Sequence, residues 1–287
     1  MYGRHVNRHS SMVGITHTLQ KNNIMGILTG KKGIIFGALN DKSIAWKAAE
    51  AAAREGAEIA LTNTAAAMRF GTTKILGEQL QAPVIAADAT SVSDLEALVE
   101  SAMAHFSGQF DFVLHSVGMS PNIRKSIPYE NINYDLMGKT IDISALSWHK
   151  LLQVLYQKDA IRKGGSVVAL SYIAADRVVS GYSDMADAKA LLQSITRNFG
   201  HIFGKERGVR VNTISQSPTM TSAGSGIAGM DKMFDFANKL APLGNASAEA
   251  CADYIVMLFS DYTRSVTLQN LYHDGGFSSM IVSAEVL

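Results

Sequence analysis

The sequence predicts a Rossmann-type α/β fold, a doubly wound parallel sheet of about seven strands with helices on both faces. Two observations carry that reading. From Gly33 onward, short apolar β-rich runs alternate with segments of helical periodicity. The runs are nearly continuous in apolar residues, the pattern of strands buried on both faces, and parallel neighbours of that kind are joined by right-handed helical crossovers.

In chain order, strands are expected over Gly33–Phe36, Glu58–Thr62, Val84–Ala87, Phe110–His115, Gly165–Leu170, Val209–Ile214 and Val266–Tyr272. Helices are expected over Ile44–Glu55 and Ser91–His105, with another over Asp184–Phe203. In the second, Leu95, Leu98, Val99, Ala102 and Met103 make one apolar stripe, and Ser91 with Asp94 resembles a capping box. No internal repeat or Pro-rich linker interrupts the pattern, so residues 25–287 are expected to form a single domain. Residues 1–24 are basic, with no acidic residue before Asp41, but lack the amphipathic face of a transit peptide. A flexible N-terminal extension is expected there.

The chain has 287 residues, 47% hydrophobic and 18% charged, which suits a globular protein with a large core. Its 26 basic and 25 acidic residues create no field for nucleic acid or an anionic membrane, so its partners must be recognised by a site. No apolar run reaches the ~18 residues of a membrane-spanning helix. The single cysteine, Cys251, cannot form an internal disulfide, which fits a reducing, cytoplasmic compartment, and no cluster has metal-site spacing.

In a doubly wound sheet, ligands sit beyond the carboxyl ends of the strands, near the switch in strand order. After the first strand, Gly37 opens a turn leading to Ser43 and Ile44, where the amides of a helix start would suit a pyrophosphate. Ser43 is either a hydroxyl donor to that group or simply the helix cap. The second strand ends at Asn63-Thr64 with neither an acid for a ribose hydroxyl nor an immediate arginine for a 2′-phosphate, leaving NADH and NADPH both open. Asp88 is placed to accept from an adenine amino group or to cap a helix. Gly118 permits close approach of a ligand, and His115 before it reads as structural more readily than as an acid. Beyond the sixth strand, Gly224, Gly226 and Gly229 precede Met230, Met233, Phe234 and Phe236, which reads equally as an apolar lid or as an ordinary loop and helix.

The stretch 171–189 carries the chemistry. Tyr182 and Lys189 are seven residues apart, which on one helix leaves them within about 20° of a common face. A nearby ammonium lowers a phenol's pKa toward the range useful for proton transfer. The plainer alternative is a half-buried aromatic and a solvated charge.

Gly37-x5-Ser43-Ile44-Ala45, His115-Ser116-x-Gly118, Leu170-Ser171-Tyr172, Tyr182-x6-Lys189, Arg210-Val-Asn212-x-Ile214-Ser215 and His273-Asp-Gly-Gly-Phe277 occur in this order. Together they resemble the motifs of the short-chain dehydrogenase/reductase superfamily and, within it, of the enoyl-[acyl carrier protein] reductases of bacterial fatty-acid synthesis. Tyr-x6-Lys discriminates, because most of the superfamily carries Tyr-x3-Lys and no tyrosine here has a lysine at that spacing.

The resemblance implies hydride transfer from NADH to a trans-2-enoyl thioester of acyl carrier protein, in a homotetrameric enzyme. It implies catalytic roles for Tyr172, Tyr182 and Lys189, with Tyr182 donating to the enolate oxygen and Lys189 holding the nicotinamide ribose. It places the cofactor at Gly37, Ser43, Ile44, Thr64, Asp88, Ala89, Ser116, Val117, Gly118, Lys189, Thr219, Met220, Thr221, Ser222 and Ala223, and the acyl substrate at Ser120, Tyr172 and Tyr182. The chain departs from the family at Thr64, where many relatives have glutamine, and at Ser215-Gln-Ser-Pro218, which replaces Ser-Ala-Gly-Pro. The lid helix also has few basic residues. The competing expectation within the same fold is a carbonyl reductase or alcohol dehydrogenase using NAD(P)H.

Overall fold

A computed structural model describes residues 25–70, 72–221 and 230–284. In chain order the main elements are β1 (Lys32–Phe36), α1 (Ile44–Arg54), β2 (Glu58–Asn63), α2 (Ala65–Phe70), α3 (Thr73–Leu80), β3 (Val84–Ala86), α4 (Val92–Phe106), β4 (Phe110–His115) and α5 (Pro121–Arg124). There follow α6 (Tyr134–Ile141), a π-helical turn (Asp142–Leu146), α7 (Ser147–Gln157), β5 (Ile161–Ser171), α8 (Ser183–Arg207), β6 (Arg210–Gln216), α9 (Met230–Leu240), α10 (Ala248–Phe259) and β7 (Asn270–His273). The seven strands form one parallel sheet in the order β3-β2-β1-β4-β5-β6-β7. The order reverses between β1 and β4, so the switch point lies between the ends of those two strands.

Apolar strands have two faces to cover, and two separate core layers cover them. On one face Leu95, Leu98, Val99 and Ala102 of α4 pack with Trp148, Leu151 and Leu155 of α7 and Leu192 of α8. The stripe expected in α4 is thus buried, with Met103 partly so. Ser91 accepts from the Asp94 amide at 3.2 Å, but the Asp94 carboxylate reaches back to the Asp88 amide, rather than to Ser91's own, at 3.0 Å. On the other face α1 presents Ala45, Ala48, Ala49 and Ala52, and these small side chains let it lie close against Cys251, Ile255 and Phe259 of α10. Cys251 is fully buried, and burial pushes its thiol up to about 12.

Several strand boundaries differ from expectation, β5 beginning at Ile161 where Gly165 was expected, and the two beside the site, β6 and β7, do so for visible reasons. β7 begins at Asn270 rather than Val266, because the Asn212 side chain donates to Val266 O and accepts from Gln269 N, while Leu268 turns through a left-handed φ of 62°. An amide side chain there takes the place of ladder bonds. β6 runs on to Gln216, whose register partner is His273.

Candidate active site

β1 and β4 end in register, Phe36 opposite His115, and the chain turns sharply just beyond. Gly37 adopts φ 90°, and a Cβ there would lie 2.1 Å from Ser116 O. Only glycine lets the two strand ends approach this closely. Above them lies a cavity of about 730 Å³, adjoined by a smaller one of about 260 Å³ that shares Gly37, Thr64 and Val117.

Of the residues expected to hold a cofactor, Gly37, Ser43, Ile44, Thr64, Ser116, Val117, Gly118, Lys189, Thr219 and Thr221 line the larger cavity. Asp88 and Ala89 line the smaller one with Thr64. Met220 lines neither and is 44% exposed, so the structure does not place it in the site; it turns outward between the two threonines. Ser222 and Ala223 lie outside the described residues, as do the three glycines of the expected lid. Ser43 is the cap of α1, accepting from Trp46 N, and its proton is directed to Asn40 O at 2.7 Å, so the hydroxyl is already engaged. The Asp88 carboxylate accepts from Thr90 N and Oγ1, a local turn bond, while the residue faces the smaller cavity. In α9, Ala237 and Leu240 are buried and Phe236 meets Phe277 edge-on.

The catalytic candidates converge. Tyr172 follows β5, and Tyr182 and Lys189 face the same cavity. Lys189 is buried and donates to Leu170 O at 2.7 Å, which orients its Nζ beside Gly118. Tyr182, however, precedes α8 instead of riding on it. Ser183 intervenes at a left-handed φ of 48°, so the seven-residue rotation does not apply, and the chain is bent there at a cost of about 1–2 kcal/mol.

The electrostatics also differ from expectation. Burial, with a further push from Tyr172, raises the Tyr182 phenol above its ordinary value. Burial likewise pushes Tyr172 up to about 12 and lowers Lys189 to about 8. Tyr182 is therefore a neutral hydrogen-bond donor at physiological pH, not an incipient phenolate. His115 is structural: it is fully buried against Trp148 and Phe36, its Nε2 lies 2.9 Å from Ser147 Oγ, and desolvation with the nearby Lys189 charge holds it neutral down to about 3.

Two residues without an assigned role turn out to organise the site. Asp184, fully buried in the first turn of α8, accepts from Ser120 Oγ at 2.6 Å, Asn122 Nδ2 at 2.8 Å and Thr140 Oγ1 at 2.6 Å. These donors and the helix N-terminus hold a carboxylate that pairs with no cation among the described residues. Ser120 lines the cavity, and through Asp184 it is tied to the segment carrying Tyr182. An acid directly after Tyr182-Ser183 was the available signal. Gln216, the residue that replaces alanine in the family pattern, lines the cavity and bonds Thr219 Oγ1, Ala246 O and His273 Nδ1 at 3.3, 3.0 and 2.7 Å.

Fold and site together define the class: an oxidoreductase of the short-chain dehydrogenase/reductase superfamily. Comparison with known proteins narrows it. The family model described as Enoyl-(Acyl carrier protein) reductase matches residues 37–278. Enoyl-[acyl-carrier-protein] reductase [NADH] 1 of Rhizobium meliloti (strain 1021) is 33% identical over 262 residues, covering 90% of this chain and 94% of that protein. The crystal structure of a FabI-NADH complex from Alistipes finegoldii is 61% identical, with a TM-score of 0.90 over 91% of this chain and 92% of that one. FabI from Candidatus Liberibacter asiaticus superposes with a TM-score of 0.84 at 28% identity, over 91% of this chain and 100% of that one. The chain belongs to the enoyl-[acyl carrier protein] reductase family.

Proposed function

We propose that the chain reduces the trans-2 double bond of enoyl-[acyl carrier protein] thioesters with NADH, in type II fatty-acid biosynthesis. The observation that carries this reading is the convergence of Tyr172, Tyr182 and Lys189 on the cavity that opens above Gly37 and Ser116. The residues fit a dinucleotide. The glycine leaves bare backbone where a pyrophosphate would approach, and the smaller cavity extends the trough past Thr64 to Asp88, where an adenine would lie. The described lining of the larger cavity includes no carboxylate to repel the dinucleotide's phosphates.

When bound, NADH supplies the hydride that adds to C3 of the enoyl group. The electron pair of the double bond then moves toward the thioester oxygen, giving an enolate that takes a proton at C2. Tyr182, held neutral by burial, donates to that oxygen, and a donor in a desolvated site acts most strongly where the charge develops. Tyr172 closes the apolar side against Tyr182. Lys189 presents its ammonium beside Gly118, where it would hold the ribose hydroxyls.

We also infer that residues 25–287 act as one catalytic domain, in the cytoplasm, and assemble as a homotetramer. Leu243 and Ile281, 89% and 95% exposed, support assembly around the outer strand β7, since Leu243 N bonds Gly275 O of the segment following it. Among the described residues no helix is long and apolar enough to cross a membrane.

The test is NADH oxidation with crotonyl-CoA against acetoacetyl-CoA. Turnover of the enoyl thioester is expected, and turnover of the keto thioester alone would transfer the assignment to a carbonyl reductase.

A further inference from the structure

Ser120, Ile123 and Arg124 all face the large cavity, at the i, i+3 and i+4 positions that share one side of the short helix α5. Ser120 is buried and Arg124 is exposed, so this side leads from the interior to the mouth. The wall is fixed in place: Ser120 and Asn122 both donate to Asp184, and Asn122 also donates to Asn133 O at 3.2 Å. Its arginine is therefore carried on an anchored backbone. Among the described residues no carboxylate pairs with the Arg124 guanidinium, and Lys125 adds a second exposed cation beside it. The other cation of the cavity, Lys189, is buried at the inner end and committed to Leu170 O.

An unpaired guanidinium fork at the mouth of a cavity whose described lining holds no acid is suited to a phosphate. The dinucleotide's own phosphates would lie at Gly37, on the turn after β1. We propose that Arg124 binds the phosphate of the pantetheine arm on which the enoyl group enters. This rests on the enoyl-thioester reading and extends it to the carrier rather than the acyl chain. Acyl carrier protein and coenzyme A both present this phosphate ester, so both are used in the test.

The experiment compares crotonyl-CoA, crotonyl-acyl carrier protein and crotonyl-N-acetylcysteamine, which has no phosphate, in the wild type, Arg124→Gln and Arg124→Lys. In Arg124→Gln, the kcat/KM ratio of either phosphate-bearing thioester to the N-acetylcysteamine thioester should fall about tenfold, or ~1.4 kcal/mol. Arg124→Lys should fall between, and added salt should erode the preference in the wild type more than in Arg124→Gln. An unchanged ratio would overturn the proposal, as would equal losses on all three thioesters. A loss on the carrier protein but not on crotonyl-CoA would also overturn it, by moving the contact to the carrier's protein surface. All three outcomes leave the reductase intact; a wild type inactive on every thioester would instead remove the reading beneath it.

Discussion

The rings of Tyr172 and Tyr182 lie 4.8 Å apart between centroids and tilt by 41°, so the two phenols share one desolvated corner of the cavity. Each is harder to ionise than a free tyrosine, and Tyr172 adds to the effect on Tyr182. Two protonated phenols can donate to a developing oxyanion without first losing a proton. In the proposed mechanism that property gives the phenols a role separate from that of Lys189, whose ammonium donates to Leu170 O.

Tyr182→Phe removes a donor needed chiefly in the transition state, and kcat should fall by about 10²–10³-fold with little change in NADH affinity. Lys189→Ala should weaken NADH binding as well as turnover. Steady-state kinetics and fluorescence titration of NADH separate the two, and wild-type values in both variants would refute the roles.

The pH dependence should have an alkaline limb set by Lys189. Its value of about 8 means the ammonium is lost as pH rises through 8, so KM for NADH should increase there, and Lys189→Met should lack that limb. Stability without cofactor runs the other way. A lysine whose folded value is depressed carries its full burial penalty below pH 8, and the penalty lifts as pH rises toward the ordinary 10.5. His115, held neutral down to about 3, should cost stability as pH falls below 6.5 but give no catalytic limb there. Melting curves and initial rates across pH check both signs.

Asp184→Asn keeps the shape and places an amide donor where Ser120, Asn122 and Thr140 all donate. Facing donor against donor in a buried site should cost about 1–3 kcal/mol of stability. Because Ser120 lines the cavity, KM for the enoyl thioester should rise while NADH affinity holds. A Tm drop with unchanged KM would confine Asp184 to the scaffold.

The alternation of apolar runs and helical periods was enough to place all seven strands, because buried parallel strands must be apolar throughout. β4 has the bounds the sequence predicts, whereas β7 starts late because Asn212, 57 residues from Gln269 in sequence, supplies the bonds that hold the segment before it out of the ladder. Tyr182 and Lys189 were legible as a pair through spacing. The bend at Ser183 was not, since a left-handed serine leaves no mark in composition. Nor was the direction of the Tyr182 shift, because burial depends on what packs around a residue and spacing reports only the neighbour. Asp184 was hidden for the same reason: its three partners come from α5, α6 and the residue preceding α5.

The single thiol of the chain, on Cys251 of α10, is sealed against α1 in the layer that covers the face of the sheet opposite α4 and α7. With its thiolate suppressed and no route for a reagent, it is chemically silent while that layer stays shut. Alkylation there therefore counts every opening that parts α1 from α10, local or global, and the rate needs no engineered label.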